Sequence, residues 1–235
     1  TFPAENTALI SFLCDRRMGV GADGVILIQN HPEHDFRMIY FNPDGSKSLC
    51  GNGSRCAIAF AKTLGIIGNQ TVFETTDGVH DALIEGEIVH FHLHDVGQAA
   101  KQDSDWFINT GSPHHVRLVT DLDQMDIIQP GREIRYSKHY EPAGTNVNFV
   151  ETTPEGIRVR TYERGVENET LSCGTGVTAC ALVAGMIDYQ SPVKIETKGG
   201  SLTVSFTKTE AKSFQDIYLA GPAKKVFEGI VEVPI

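Results

Sequence analysis

The chain has 235 residues, 40% hydrophobic and 21% charged, a composition typical of a folded globular protein and not of a disordered or collagen-like one. Its 30 acidic side chains outnumber the 20 basic ones, and the formal net charge of −10 argues against a nucleic-acid or anionic-membrane surface. No stretch approaches ~18 uninterrupted apolar residues, so no transmembrane helix is predicted. Five cysteines at irregular spacing favour free thiols in a reducing cytoplasm over a disulfide framework.

The predicted elements, taken in chain order, occur in two similar series. Each series has an apolar strand after a glycine turn, an alternating strand, a polar loop that ends in Cys-Gly-x-Gly, and then a helix. The apolar strands are predicted at 25–28 and 147–151, and the alternating strands at 36–41 and 157–162. Further strands are predicted at 71–75, 88–93, 111–119 and 202–206.

Short motifs repeat at a nearly constant offset of 121 to 123 positions. The Cys-Gly-x-Gly segment at 50–53 returns at 173–176, and Glu-Thr-x-x-Gly at 74–78 returns at 196–200. Colinear matches of this kind predict two homologous copies of one unit. The predicted domains are 1–97 and 98–221, with a C-terminal segment at 222–235 that packs back on the first domain.

The duplication also bears on the start of the chain. The strand predicted at 111–119 has its counterpart before residue 1 when the offset is subtracted. We therefore expect the first domain to lack its opening strand and the chain to be a fragment that is short at its N-terminus.

The two predicted helices differ in pattern. The first places Cys56, Phe60 and Leu64 at i, i+4 and i+8, which predicts that these side chains form its apolar face. The second, at 177–187, is apolar or small on nearly every face, which is typical of a fully buried helix. The pattern predicts an α+β fold in which the strands of each domain cover one central helix. Three cysteines are expected to be small core residues: Cys14, Cys56 and Cys180.

A cysteine before Gly-x-Gly at a helix start has a chemical meaning. The glycines let backbone N–H groups face an anion, and the helix N-terminus favours thiolate over thiol. Two such elements, at Cys50 and Cys173, suit the inversion of a stereocentre, because a thiolate can remove a proton from one face while a thiol delivers one to the other. We expect the active site in the cleft between the two domains.

Other chemistry is weakly represented in the sequence. There is no dinucleotide fingerprint, phosphate-binding loop or clustered Cys/His ligand set, so no cofactor is predicted. His90, His92 and His94 lie on one face of a predicted strand, but a metal site there is not favoured. His114 and His115 follow a tight turn, where one of them could hydrogen-bond in a cleft.

Two longer segments carry a family resemblance. Asn42-Pro43-Asp44-Gly45-Ser46 followed by 50–56 resembles the first signature of the diaminopimelate epimerase family, and 162–165 followed by 169–176 resembles the second. The resemblance implies two pseudo-symmetric α/β domains, each a barrel-like, mainly antiparallel sheet around a central helix, with the active site between them. It implies an isomerase that interconverts LL- and meso-diaminopimelate without pyridoxal phosphate, in lysine and peptidoglycan precursor synthesis.

The resemblance also assigns residue roles. It makes Cys50 and Cys173 the acid/base pair, and it makes His114, together with Glu163, a modulator of the thiol pKa values. The groups implied to hold the α-carboxylate of the substrate are Gly51, Asn52, Gly174 and Thr175. Those implied to hold its distal end are Asn42, Asn146, Glu163 and Arg164, which suits the chemistry because Arg offers a fork for a carboxylate and Glu an acceptor for an ammonium.

The sequence departs from the family in three places. A Gly-Asn-Asp-Phe segment typical of the family's start is absent, Ser112 stands where many members carry Asn, and Gly24 stands where some carry Gln. Three alternatives stay open: a proline or hydroxyproline racemase of the same superfamily, a non-catalytic ligand-binding relative, and a redox sensor with a reversible Cys50–Cys173 disulfide. The sequence does not set the oligomeric state, and a homodimer is one option.

Overall fold

The computed structural model describes residues 2–233, which divide into two compact units. The first unit comprises the described residues up to Val89 together with those from Ala223 onward, and the second spans His90–Pro222. The boundary between the two units lies between Val89 and His90, within the strand Ile88–Leu93. The predicted limits of the duplicated segment, at 97/98 and 221/222, stay predictions.

Strands dominate the described part of the chain. Its helices are α1 (Thr7–Cys14), α2 (Gly51–Thr63), α3 (Ile128–Arg135) and α4 (Gly174–Met186), with short 3₁₀ turns at Leu122–Gln124 and Lys138–Tyr140. Its strands are β1 (Val25–Gln29), β2 (Phe36–Phe41), β3 (Gln70–Thr75), β4 (Gly78–Glu85), β5 (Ile88–Leu93), β6 (Ala100–Gln102), β7 (Asp105–Asn109), β8 (Pro113–Leu118), β9 (Asn146–Thr153), β10 (Gly156–Glu163), β11 (Asn168–Thr170), β12 (Val193–Thr197), β13 (Gly200–Lys208) and β14 (Phe214–Pro222). The predicted α+β class is confirmed. Among the described residues, no helix has the length and apolar character needed to cross a membrane.

The first unit is built on four strands in the order β1-β2-β3-β4. β1 and β2 are antiparallel, α2 crosses over to a β3 that runs parallel to β2, and β4 returns antiparallel. α2 packs against β1 and β2, and α1 packs against β1. The crossover brings the start of α2, with its Cys-Gly-x-Gly segment, to the end of the loop that follows β2.

The predicted apolar face of α2 is wrong. Cys56 is exposed, and Phe60 and Leu64 are 50% and 54% exposed. The buried side chains of α2 lie on a neighbouring stripe instead, and they are mostly small: Ser54, Ala57, Ile58 and Ala61, together with Arg55 near the helix start. Small side chains allow close approach of the helix to β1 and β2, and this packing, which periodicity alone cannot reveal, selects the face.

The second unit surrounds a helix. Its strand order is β14-β13-β12-β10-β9-β8-β7-β6, with β5 beside β14 and β11 on β10. α4 packs against seven strands of this sheet, which are β7, β8, β9, β10, β12, β13 and β14. Every residue of α4 up to Gly185 is buried, so the predicted fully buried helix is confirmed. Cys180 within it and Cys14 in α1 are also buried, as expected.

The pairing registers of the two units repeat the sequence motifs. Phe36 pairs with Phe73 in the parallel β2–β3 contact, and Ile157 pairs with Ile195 in the parallel β10–β12 contact. The next pair in each contact is an ion pair, formed by Arg37 with Glu74 and by Arg158 with Glu196. The hairpin turns also correspond, since they close on Thr75↔Gly78 and Thr197↔Gly200. This agreement is consistent with the predicted duplication.

Candidate active site

Cys50 is the N-cap residue of α2. Its backbone is extended (φ −130°, ψ 109°), and its Sγ accepts a hydrogen bond from the amide of Gly53 at 3.3 Å. A Cβ at Gly53 would lie 3.0 Å from the Tyr40 ring and 3.3 Å from Cβ of Cys50, so the glycine keeps this corner compact. An N-cap sulfur that receives a backbone N–H at the positive end of a helix dipole is placed to carry negative charge.

A buried arginine lies one turn further along α2. Arg55 is 6% exposed, and its guanidinium donates to the carbonyl of Gly51 at 3.4 Å and to Oδ1 of Asn52 at 3.0 Å. Burial lowers the pKa of Arg55, while the neighbouring thiols Cys56 and Cys50 oppose this effect. The guanidinium at this position orients the amide of Asn52 and places a positive charge near Cys50 and Cys56.

Asn42 closes the loop that precedes Cys50. Its Nδ2 donates to the Ser46 carbonyl at 3.2 Å and to the hydroxyls of Ser46 and Ser48 at 3.0 and 3.1 Å. Gly24 lies against the neighbouring strand, where an added Cβ would come within 2.5 Å of the Tyr40 phenol and the Phe41 carbonyl. The local packing therefore explains the glycine at 24, since a glutamine there would collide with Tyr40.

Cys173 is the N-cap residue of α4, and its backbone conformation matches that of Cys50. Its backbone is extended (φ −109°, ψ 114°), it is 7% exposed, and its Sγ lies 3.6 Å from the hydroxyl of Thr175. A Cβ at Gly176 would meet Oδ1 of Asn148 at 2.6 Å and the Cys173 sulfur at 3.3 Å. The glycine at 176 thus lets the sulfur, the helix start and β9 come together.

His114 connects to Cys173 through hydroxyl groups. Its side chain lies on β8 with 0% exposure, and its Nε2 is 3.0 Å from Oγ1 of Thr175 and 2.9 Å from Oγ of Ser112. Burial, with a smaller contribution from the charge of Arg164, lowers the pKa of His114 to about 3. The ring is therefore neutral at physiological pH.

Three further predicted residues of this unit, Asn146, Glu163 and Arg164, lie at the start of β9 and around the end of β10. Oδ1 of Asn146 accepts from the amide of Arg164 at 2.9 Å, and its Nδ2 donates to the Pro113 carbonyl at 3.1 Å. The guanidinium of Arg164 donates to the Ala143 carbonyl at 3.3 Å. Glu163 accepts a 2.7 Å hydrogen bond from the hydroxyl of Thr170 on β11.

The structure thus gathers the predicted residues at two helix starts. Cys50, Gly51 and Asn52 begin α2, and Asn42 belongs to the loop before it. The residues gathered near the start of α4 are Cys173, Gly174, Thr175, His114, Asn146 and Arg164, with Glu163 at the end of β10. The part that each plays stays a prediction.

Sequence reasoning missed two buried polar side chains in these clusters, Arg55 and Asn148. Asn148 interrupts an otherwise apolar strand and is 0% exposed, and Arg55 is a charged residue on the buried side of α2. A polar residue within an apolar pattern is a usable signal, because burial of such a group requires partners.

Comparison with solved structures places this fold in a known class. The chain is similar to a phenazine biosynthesis protein of the PhzF family from Bacillus anthracis (TM-score 0.74, 18% identity, 90% of this chain and 86% of that one). It is similar to a hydroxyproline epimerase from Agrobacterium vitis (TM-score 0.70, 17% identity, 94% and 79%). At these identities the likeness establishes the shared fold alone.

Sequence comparison then gives the family. A family profile described as "Diaminopimelate epimerase" matches residues 2–99 and 106–226. The chain is 50% identical to a diaminopimelate epimerase of Flavobacterium psychrophilum, over 97% of this chain and 90% of that one. It is 45% identical to one of Aquifex aeolicus, over 92% and 82%. The chain belongs to the diaminopimelate epimerase family and is an isomerase of the epimerase type; the resemblance noted from the two Cys-Gly-x-Gly segments is confirmed.

Proposed function

We propose that this protein interconverts LL- and meso-2,6-diaminopimelate in the synthesis of lysine and peptidoglycan precursors. The observation that carries the proposal is the 50% identity to the Flavobacterium psychrophilum enzyme over 97% of the chain. The two cysteines of the family signatures add to it, because both are N-cap residues of helices.

In the proposed mechanism Cys50 and Cys173 work as a base and an acid. A thiolate removes the proton from the α-carbon, and the thiol of the other cysteine delivers its own proton to the opposite face. Proton removal leaves a carbanion, which the proton from the second thiol neutralises. The two sulfurs have then exchanged protonation states, and this is the state required for the reverse reaction. The pair titrates as a coupled system that holds one proton in the active form. The proposal involves no cofactor.

The α-carboxylate would bind at the two helix starts. Each of them offers backbone N–H groups at the positive end of a helix dipole, which is a favourable site for an anion. The residues that we assign to this role are Gly51, Asn52, Gly174 and Thr175. Hydrogen bonds to this carboxylate also stabilise the carbanion, because negative charge from the α-carbon spreads onto the carboxylate oxygens.

The distal amino-acid end would be held by side chains with complementary charge. Arg164 can form a bidentate pair with the distal carboxylate, and Glu163 can accept from the distal ammonium. We assign the neutral hydrogen-bonding positions around this end to Asn42 and Asn146. Glu163 and Arg164 also separate this proposal from a proline or hydroxyproline racemase, since those substrates have no second charged amino-acid end.

His114 would act on the thiols and not on the substrate. The neutral ring of His114 is in hydrogen-bond contact with the hydroxyl of Thr175, and that hydroxyl lies beside the Cys173 sulfur. The ring can therefore support a hydrogen bond from Thr175 to the sulfur without adding a charge. The assigned modulating residues are His114 and Glu163. We also place the enzyme in the cytoplasm, because thiolate catalysis requires reduced cysteines.

Solvent isotope incorporation tests the proposal. The protein incubated with LL-diaminopimelate in D₂O under reducing conditions should place deuterium at the α-carbon and accumulate the meso isomer. Cys50→Ala and Cys173→Ala should each lower turnover by at least about 10²-fold, the usual scale of a positioned acid or base. Cys56→Ala is the matched control, because this third cysteine is exposed on α2 and should retain full activity.

Two outcomes would overturn the proposal. Absence of deuterium incorporation would exclude proton transfer at the α-carbon, and unchanged turnover in either cysteine variant would exclude the two-thiol mechanism. Turnover of L-proline in place of diaminopimelate in the same assay would favour the racemase alternative.

A further inference from the structure

Asn148 is a buried amide behind the proposed acid/base group Cys173. It lies on β9 with its neighbours Val147 and Phe149 packed into a core cluster on the other face of the strand. Since side chains alternate along a strand, Asn148 points to the side of α4, where its Oδ1 faces Gly176. A fully buried amide in a strand must have its donors and acceptor satisfied.

The neighbours of Asn148 fix which way its amide points. Its Nδ2 lies 2.9 Å from the carbonyl oxygen of His115, which can only accept a hydrogen bond. Its Oδ1 lies 2.9 Å from the hydroxyl of Thr161, the residue directly opposite in the β9–β10 pair. A flipped amide would set two carbonyl oxygens against each other, so the NH₂ group must face the side of His115 and His114.

This orientation fixes the tautomer of His114. The same Nδ2 lies 3.2 Å from Nδ1 of His114, and as a donor it requires Nδ1 to be the acceptor. A neutral imidazole has one hydrogen, so that hydrogen must be on Nε2. Nε2 is the nitrogen that faces the hydroxyls of Thr175 and Ser112.

The tautomer in turn gives the hydrogen-bond chain a direction. When Nε2–H donates into the hydroxyl pair, Thr175 receives a hydrogen bond and its own hydrogen is available for the sulfur of Cys173, 3.6 Å away. Ser112 also receives a hydrogen bond, from Nδ2 of Asn146 at 3.4 Å. The hydrogen bonds from His114 to Thr175 and from Thr175 to Cys173 are then both donated toward the sulfur. Because consecutive hydrogen bonds polarise one another, this arrangement favours a thiolate at Cys173.

We propose that Asn148 is a positioning residue that locks His114 in the Nε2–H tautomer and thereby directs the hydrogen bonds of His114 and Thr175 toward the Cys173 sulfur. The relevance of this arrangement to catalysis rests on the proposed function, but the tautomer and the thiol pKa are measurable without any substrate.

The first test uses the unmodified protein. In ¹⁵N-histidine-labelled protein, the ¹⁵N chemical shifts and one-bond couplings distinguish a protonated from an unprotonated ring nitrogen, and His114→Gln identifies the His114 signals among the nine histidines. We expect Nε2 to be protonated and Nδ1 to be bare at neutral pH. A hydrogen on Nδ1 would overturn the proposal, whatever the behaviour of any variant.

The second test measures the thiol. Iodoacetamide reacts with the thiolate, and peptide-resolved mass spectrometry gives separate alkylation rates for Cys173 and Cys50 in one sample. In Asn148→Ala we expect the Cys173 rate at pH 7.5 to fall about three- to tenfold, equivalent to a rise in thiol pKa of about 0.5 to 1. Gln215→Ala, which truncates an exposed amide on β14 of the same unit, should change neither rate.

The two cysteines make the result specific. A fall confined to Cys173 supports the proposal, whereas an unchanged Cys173 rate or an equal change at both cysteines would contradict it. Neither test involves turnover of diaminopimelate. If the tautomer and the thiol pKa behave as expected but no epimerisation occurs, the proposed function fails and the positioning role of Asn148 stands.

Discussion

The neutral state of His114 should make the folded protein sensitive to mild acid. Its pKa is lowered to about 3 in the folded protein, first by burial and then by Arg164, whereas an unfolded histidine titrates near 6.5. The unfolded chain therefore binds more protons below this value, so the stabilising contribution is complete above pH 6.5 and is lost as the pH falls toward 3. From this residue alone, the free energy of unfolding should decrease by about 2 kcal/mol between pH 7.5 and 5.0.

Urea unfolding at these two pH values, in wild type and in His114→Gln, measures this contribution. The variant is expected to be less stable at both values because a buried ring is lost, but its loss of stability between pH 7.5 and 5.0 should be smaller by about 2 kcal/mol. His139→Gln, at an exposed histidine, is the control and should keep the wild-type pH dependence. Equal pH dependence in wild type and His114→Gln would show that His114 is not held neutral.

At the level of elements, the two repeated helices should respond differently to the same substitution. Leu182 in α4 has no exposed surface, whereas Leu64 at the end of α2 is 54% exposed. Leu182→Ala should lower the free energy of unfolding by about 2–5 kcal/mol through lost burial and a cavity. Leu64→Ala should change it by no more than about 0.5 kcal/mol. Urea titration of both variants compares them, and a loss of several kcal/mol at Leu64 would mean that this side of α2 is covered in solution.

The same two helices show what periodicity can and cannot predict. α4 is apolar or small on every side, so its burial follows from composition alone. α2 has two competing stripes, one with Cys, Phe and Leu at 56, 60 and 64 and one with the small residues at 54, 57 and 61 beside Ile58. Hydrophobicity favours the first stripe, but the close approach of the helix to β1 and β2 selects the second. The sequence pattern alone therefore does not predict which of the two faces of α2 is buried.

For the molecule as a whole, the duplication was the most informative feature of the sequence. The repeated motifs predict two copies of one unit, and the parallel pairs Phe36↔Phe73 and Ile157↔Ile195 are consistent with that prediction. The role of Asn148 was not accessible in this way. It depends on which carbonyl and which ring nitrogen lie beside one amide, and those neighbours are set by the pairing of β8, β9 and β10 rather than by spacing along the chain.

Amide hydrogen exchange should rank the parts of the whole molecule. Amides in the middle of α4 are both hydrogen-bonded and buried, so they should exchange only through global unfolding. Those of α2, with one exposed side, should exchange faster. Residues 224–233 have neither helix nor strand and are exposed. Val226, Phe227 and Ile230 among them are 89%, 70% and 102% exposed, so we expect the amides of this segment to exchange at the rate of an unfolded chain.

Deuterium uptake measured at increasing urea separates these three classes of amide, because only amides that exchange by global unfolding show the full urea dependence. Strong protection at 224–233 would contradict this ranking and would mean that these apolar side chains are covered in solution.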